Sequence, residues 1–129
     1  METVLLYNIA GTPLAAGLKP ILLKMKLRVR VVSPEQYLQP IGYLAGLRDF
    51  EESPDKYVPK ESSETILEPM MVMSGFTNRR LDQLLLEMRK KKLPPIPLKA
   101  VVTEQNQRWD SLTLYKELQA EHAAMHPED

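Results

Sequence analysis

The run "LKAVVTEQNQRW", from Leu98 to Trp109, gathers residue types that could bind an anion. If the run is a strand that leads into a helix, Lys99 supplies positive charge near the end of that strand. Thr103 and Asn106 then stand at the start of the helix, where free N–H groups and the helix dipole favour a negative ligand. The indole of Trp109 would form one wall of the site.

The same residues also have a purely structural interpretation. Thr103 is a common N-cap type, Asn106 can complete such a cap, and Trp109 is most simply part of the core. Lys99 can point to solvent from a strand. Caps and buried aromatic residues are far commoner than binding sites, so the sequence favours this interpretation while a site stays open. A corresponding turn in the first half supplies two more candidates. The ligand-binding candidates are Gln39, Gly42, Lys99, Thr103, Asn106 and Trp109.

Catalytic and metal chemistry has little support in the composition. The chain has no cysteine, which excludes disulfides, thiol catalysis and thiolate metal sites. His122 and His126 are the only histidines, and their spacing would let two imidazoles share a metal, but no third ligand accompanies them. We therefore predict no metal site, and the sequence identifies no cofactor. If the protein is an enzyme, its reactive group would have to be Lys99, Tyr7 or a cofactor for which the sequence shows no binding motif.

The charge balance bears on the class of partner. Seventeen basic residues balance seventeen acidic ones, so net charge gives no reason to expect nucleic-acid binding. The basic run at residues 89–92 fits the C-terminal end of a helix. No stretch approaches the roughly 20 apolar residues of a membrane helix, and the N-terminus lacks the pattern of a signal peptide. We expect a cytoplasmic protein that does not bind membranes.

The elements that would position the candidate residues fall into two similar halves. In residues 1–47, "VLLYNI" and "LRVRVV" predict strands. Thr12 predicts the cap of an intervening helix, in which Pro20 should cause a kink or an early break. Ser33 predicts the cap of a second helix through residues 37–45. In residues 70–126, "MMVMSGF" and residues 98–102 predict strands. A helix capped by Thr77 or Asn78 lies between these strands, and a last helix falls within residues 103–126.

The two halves share a β-α-β-α order, and "RVRVVSPEQ" is similar to "PLKAVVTEQ", with Ser33 matched to Thr103. This pattern predicts an internal repeat within one domain, residues 1–129. The fold class is α/β, with a four-stranded parallel or mixed sheet built from the two pseudo-repeated halves. Between the halves, residues 48–69 are acidic and broken by proline, which predicts a disordered linker.

Four segments of the sequence resemble a known protein family. "LLYNI", "RVRVVSPEQYLQPIGYLAGL", "MMVMSGF" and "LKAVVTEQNQRWDSLTLYKELQAEHAAM" resemble small bacterial proteins of the domain of unknown function DUF3783. The resemblance covers nearly the whole chain apart from the acidic linker. Its most specific parts are "QPIGYLAG" and the residues Lys99, Thr103, Asn106 and Trp109. It implies no activity, because the family is itself uncharacterised.

The hypothesis that the sequence favours is a non-catalytic binding or regulatory module for a partner protein or a small anionic ligand. One alternative is a small enzyme that uses a borrowed cofactor or metal. Another is a structural adaptor that docks through the acidic segment, residues 51–68. The sequence leaves the oligomeric state open.

Overall fold

Four short strands form one mixed sheet in the computed structural model, which describes residues 2–55, 57 and 65–125. The strands are β1 (Thr3–Tyr7), β2 (Arg28–Val31), β3 (Met70–Ser74) and β4 (Leu98–Val101). Their order across the sheet is β2-β1-β3-β4. β1 is parallel to β2, β3 is parallel to β4, and the two inner strands β1 and β3 are antiparallel. The predicted α/β class with a four-stranded mixed sheet is therefore confirmed.

Helix α1 (Pro13–Lys24) connects β1 to β2. Thr12 caps it as predicted: the Thr12 Oγ1 accepts the Ala15 N–H at 3.3 Å, and Pro13 occupies the first helical position. The early break predicted at Pro20 is wrong, because the helix continues through this residue. Pro20 leaves the Ala16 carbonyl without its usual partner, but both residues are exposed, so water can hydrate that carbonyl.

Helix α3 (Asn78–Lys90) connects β3 to β4 and starts at Thr77, whose Oγ1 accepts the Arg80 N–H at 3.2 Å. With α1 it covers one face of the sheet. The core on that face combines inner-strand residues with helix residues, among them Val4, Leu6, Met71, Met73, Leu18, Ile21, Leu84 and Met88. Both helices end in the same way, with a lysine of positive φ (58° at Lys26 and 54° at Lys92).

The opposite face carries two 3₁₀ helices and two α-helices. A 3₁₀ helix (Pro34–Gln36) and α2 (Ile41–Leu44) follow β2, and a 3₁₀ helix (Asn106–Arg108) and α4 (Ser111–Met125) follow β4. The single helix predicted through residues 37–45 is wrong. Pro40 provides no N–H and disfavours the helical conformation of Gln39, so α2 begins only after it.

The last helix also begins later than Thr103. α4 starts at Ser111, where the Asp110 Oδ1 accepts the Thr113 N–H at 2.8 Å. Asp110 therefore caps α4, while Thr103 belongs to the preceding turn. The core on this face joins the inner strands to α2 and α4 through residues that include Leu5, Tyr7, Met70, Val72, Tyr37, Ile41, Leu44, Leu112 and Leu114.

Parts of the acidic linker lie against this second core. Tyr57 and Ile66 are buried in it. The Gln39 side chain binds the Ser53 main chain twice, donating to its carbonyl at 2.9 Å and accepting its N–H at 2.7 Å. Residues 56 and 58–64 lie outside the described part of the chain, and the disorder predicted for the linker stays a prediction.

Candidate functional site

A hollow of about 350 Å³ beside β4 and α4 is lined by Lys99, Thr103, Asn106 and Trp109. The structure therefore brings four of the six candidate residues together. β4 contributes Lys99, the turn after it contributes Thr103, the 3₁₀ helix contributes Asn106, and Trp109 ends that helix.

Local hydrogen bonds already engage Lys99, Thr103 and Asn106, the polar candidate residues of this hollow. The Thr103 N–H donates to the Asn106 Oδ1 at 2.8 Å, and the Asn106 N–H donates to the Thr103 Oγ1 at 3.1 Å. The buried Asn106 amide also donates from its Nδ2 to the Val101 carbonyl at 3.0 Å. The Lys99 Nζ donates to the Ile96 carbonyl at 2.8 Å. The bonds of Thr103 and Asn106 close the turn after β4, as the structural interpretation of the sequence requires, whereas Lys99 bonds to the segment before that strand.

The charge around the hollow does not favour an anion. Glu117 and Glu121 of α4 line it together with Lys99. Two carboxylates against one ammonium group repel a negative ligand. Trp109 packs partly buried against the core, so only part of its ring is available as a wall.

Gln39 and Gly42 do not line this hollow. Gln39 is buried and holds Ser53 of the linker, as described above. Gly42 is buried in α2, and a Cβ added there would lie 2.6 Å from the ring of Phe50. Both residues therefore fix residues 48–55 against α2.

Comparison with known protein families assigns the second half of the chain to a family. The family model of the domain of unknown function DUF3783 matches residues 69–125, which contain β3, α3, β4 and α4. The second half of the chain is a DUF3783 domain. No curated protein and no solved structure matches the chain.

The matched range is narrower than the resemblance of the whole sequence suggested. It includes Lys99, Thr103, Asn106 and Trp109, whereas "LLYNI" and "QPIGYLAG" lie before it. In the DUF3783 domain Thr103 and Asn106 build the hydrogen-bonded turn that follows β4, and Lys99 binds the Ile96 carbonyl before that strand.

Tyr7, the other candidate for chemistry, lies in β1 outside the DUF3783 domain. Its hydroxyl is 2.7 Å from the Ser111 Oγ, and both residues are buried. Burial raises the pKa of Tyr7 far above its ordinary value, so the phenol keeps its proton. Among residues 2–55, 57 and 65–125, no group of three or more His, Cys, Asp or Glu side chains could hold a metal ion. His126 lies outside that part of the chain.

None of the helices in the described part of the chain has the length and apolar composition that crossing a bilayer requires.

The sequence interpretation missed an apolar groove in the first half, on the side of the sheet away from the DUF3783 domain. It has a volume of about 410 Å³ and lies between α1 and β2. Leu23 of α1 is 69% exposed, and Val31 and Val29 of β2 are 53% and 40% exposed. Leu22 and Leu27 also line it. We call this surface the β2 groove.

The other face of β2 is basic. Arg30 lies over the ring of Tyr43, 5.8 Å from its centroid, and donates to the Leu44 carbonyl at 3.3 Å. Arg28 is exposed. No ion pair among the described residues involves either arginine. β2 thus presents apolar side chains on one face and positive charge on the other.

Proposed function

We propose that the protein is a non-catalytic binding module whose partner is another protein. The observation that carries the proposal is the β2 groove, where three large apolar side chains lie exposed next to one another. Contiguous exposed apolar surface marks interaction sites, because covering it removes that surface from water. The two arginines on the other face of the strand add a charge that a partner can recognise.

Replacement of Leu23 by glutamate should test the function. Leu23→Glu places a carboxylate in the groove, and a matched control, Leu86→Glu, changes another exposed leucine on α3. We expect wild-type protein and the Leu86 variant to capture the same protein from an extract of the source cells. The Leu23 variant should bind that captured protein, once purified, at least about tenfold more weakly. Equal binding by all three proteins would contradict the proposal.

A small anionic ligand is the second candidate, because four candidate residues line one hollow. Titration with phosphate and carboxylate metabolites would then shift the Trp109 indole resonance, and Lys99→Ala would abolish the shift. The carboxylates of Glu117 and Glu121 weigh against this function. The third, an enzyme with a borrowed cofactor or metal, has weaker support, since the Tyr7 hydroxyl is buried and bonded to Ser111.

We also propose that the first half is a diverged repeat of the second. Each half has the order strand, helix, strand, 3₁₀ helix, helix. The strand registers of the two halves support the proposal. In the first half the first residue of β1, Thr3, is paired with the first residue of β2, Arg28, and in the second half Met70 of β3 is paired in the same way with Leu98 of β4. The Leu5–Val72 pair lies at the middle of both inner strands, so the two halves meet symmetrically there. An isolated bridge joins Pro40 to Asp110, which correspond to each other when Ser33 is matched to Thr103.

A fragment that consists of residues 65–125 should test the repeat. Without β1, the inner edge of β3 is unpaired. The β3 strand of a second copy can then pair with it in antiparallel orientation, in the place that β1 takes in the whole protein. We expect a folded dimer in light scattering and circular dichroism. A monomeric or unfolded fragment would contradict the repeat.

For the surroundings of the protein we propose the cytoplasm of a bacterium. The complete lack of cysteine suits a reducing compartment, and the bacterial origin rests on the resemblance alone.

A further inference from the structure

We propose that β2 accepts an extended peptide of the partner as a fifth strand, and that this peptide alternates acidic and apolar side chains. The inference rests on the proposed partner-binding function and names the chemistry of the partner. It depends on the free edge of β2, on the difference between this edge and that of β4, and on the two faces of β2.

The main-chain groups of β2 alternate between β1 and the free edge. The Arg28 N–H donates to the Glu2 carbonyl and the Val32 N–H donates to the Leu6 carbonyl, each at 3.0 Å. Because successive residues of a strand point their main-chain groups in opposite directions, the N–H and C=O groups of Val29 and Val31 point away from the sheet. β2 is the outer strand on that side. Such a row of groups is a template for another strand.

The opposite edge of the sheet is partly occupied. The Val102 N–H donates inward to the Met73 carbonyl at 2.9 Å, so Lys99 and Val101 point their main-chain groups outward from β4. There the Asn106 Nδ2 occupies the Val101 carbonyl, so one acceptor of this outward row is already used.

At the matching position after β2, Gln36 directs its Oε1 to the Ser33 N–H at 3.2 Å. No side chain in the described part of the chain donates to the Val31 carbonyl. β2 is therefore the more open of the two edges.

The two faces of β2 specify the side chains of the added strand. Residues opposite one another in paired strands lie on the same face of the sheet. Apolar residues of the peptide would continue the Val29–Val31 face into the β2 groove, where Leu23 lies exposed. The residues between them would meet Arg28 and Arg30, which favours carboxylates. A strand with alternating acidic and apolar residues satisfies both faces.

Charge argues against a second copy of this chain as the occupant. An antiparallel β2 pair in which Val29 lies opposite Val29 or Val31 also brings Arg28 or Arg30 of one copy directly opposite an arginine of the other. Like charges in directly opposite positions destabilise a strand pair. The occupant that fits the edge is a peptide of opposite charge.

The full-length protein, ¹⁵N-labelled, should be titrated with a capped nine-residue peptide in which glutamate and valine alternate. We expect saturable shifts and slowed hydrogen exchange at the amides of Val29 and Val31. A peptide of the same composition with its glutamates and valines in two blocks should bind at least about tenfold more weakly, as should an alternating lysine–valine peptide.

Two proline variants form the matched pair for this titration. Val31→Pro removes an N–H that points outward, so the bonds of β2 to β1 are kept while the edge is blocked. Val101→Pro makes the same change at the equivalent position of β4. We expect the first to weaken binding of the alternating glutamate peptide at least tenfold and the second to leave it unchanged. Amide spectra establish that each variant is folded. If Val31→Pro unfolds the protein, the Arg28→Glu variant is used in its place. We expect that variant to bind the alternating lysine–valine peptide more tightly than the alternating glutamate–valine peptide.

Strand addition is wrong if the glutamate peptide does not bind, if Val31→Pro binds it as wild type does, or if the block peptide binds equally well. In each of those cases a partner that still requires Leu23 would leave the proposed function intact. Failure of the function itself is recognised separately, by a partner that the Leu23→Glu variant retains.

Discussion

Replacement of Leu5 by alanine is expected to lower the free energy of unfolding by about 3 kcal/mol. Leu5 is fully buried at the centre of β1, where it is paired with Val72 of β3 and packs in the core that α2 and α4 cover. Truncation there removes apolar contacts and leaves a cavity between the sheet and the helices that cover it, because a packed core relaxes only partly around a deletion. Urea denaturation followed by circular dichroism measures the change.

The matched control for this prediction is Val29→Ala, on the outer strand of the same sheet. Val29 is exposed at the edge, so its truncation should change the free energy of unfolding by less than about 0.5 kcal/mol. An equal effect of the two substitutions would mean that β1 is not the centre of the core.

Asn106→Ala is expected to lower the free energy of unfolding by about 2 kcal/mol. The substitution removes the acceptor of the Thr103 N–H and the donor to the Val101 carbonyl, in a buried position. Chemical denaturation measures the loss. Hydrogen exchange should also become faster in the turn after β4.

Gln36→Ala is the matched control, since Gln36 stands at the same place after β2. Its Oε1 accepts from the Ser33 N–H, but its side chain is only partly buried. We expect a loss below about 1 kcal/mol. If Asn106→Ala left stability unchanged and abolished binding of an anion, the residue would belong to a ligand site and the structural interpretation would be wrong.

Most elements of the fold could be predicted from the sequence because their signals are local. Apolar runs predicted β1, β3 and β4, the alternation of "LRVRVV" predicted β2, and Thr12 and Thr77 predicted the starts of two helices. The errors came from proline. Pro20 is tolerated on the exposed face of α1, whereas Pro40 divides the predicted helix, and this difference depends on surroundings that periodicity does not reveal.

The role of the candidate residues could not be predicted in the same way. A threonine and an asparagine three positions apart suit a hydrogen-bonded turn as well as a ligand site. Only the structure shows that the third partner of Asn106 is the Val101 carbonyl.

The β2 groove escaped detection for a related reason. The alternation of "LRVRVV" is the same for an inner strand with one wet face as for an outer strand. The strand order across the sheet decides which of the two it is.

The antiparallel pair at the middle of the sheet also bears on the order of events during synthesis. Each parallel pair consists of two strands that one helix connects. β1 and β3, in contrast, are separated along the chain by the rest of the first half and by the linker. Contacts between distant segments form late, because closing a long loop costs entropy before any contact compensates for it. On the ribosome, the first half therefore emerges with the apolar inner edge of β1 uncovered until β3 has been made. A nascent chain of this protein should be most prone to aggregation, and most dependent on chaperones, in that interval.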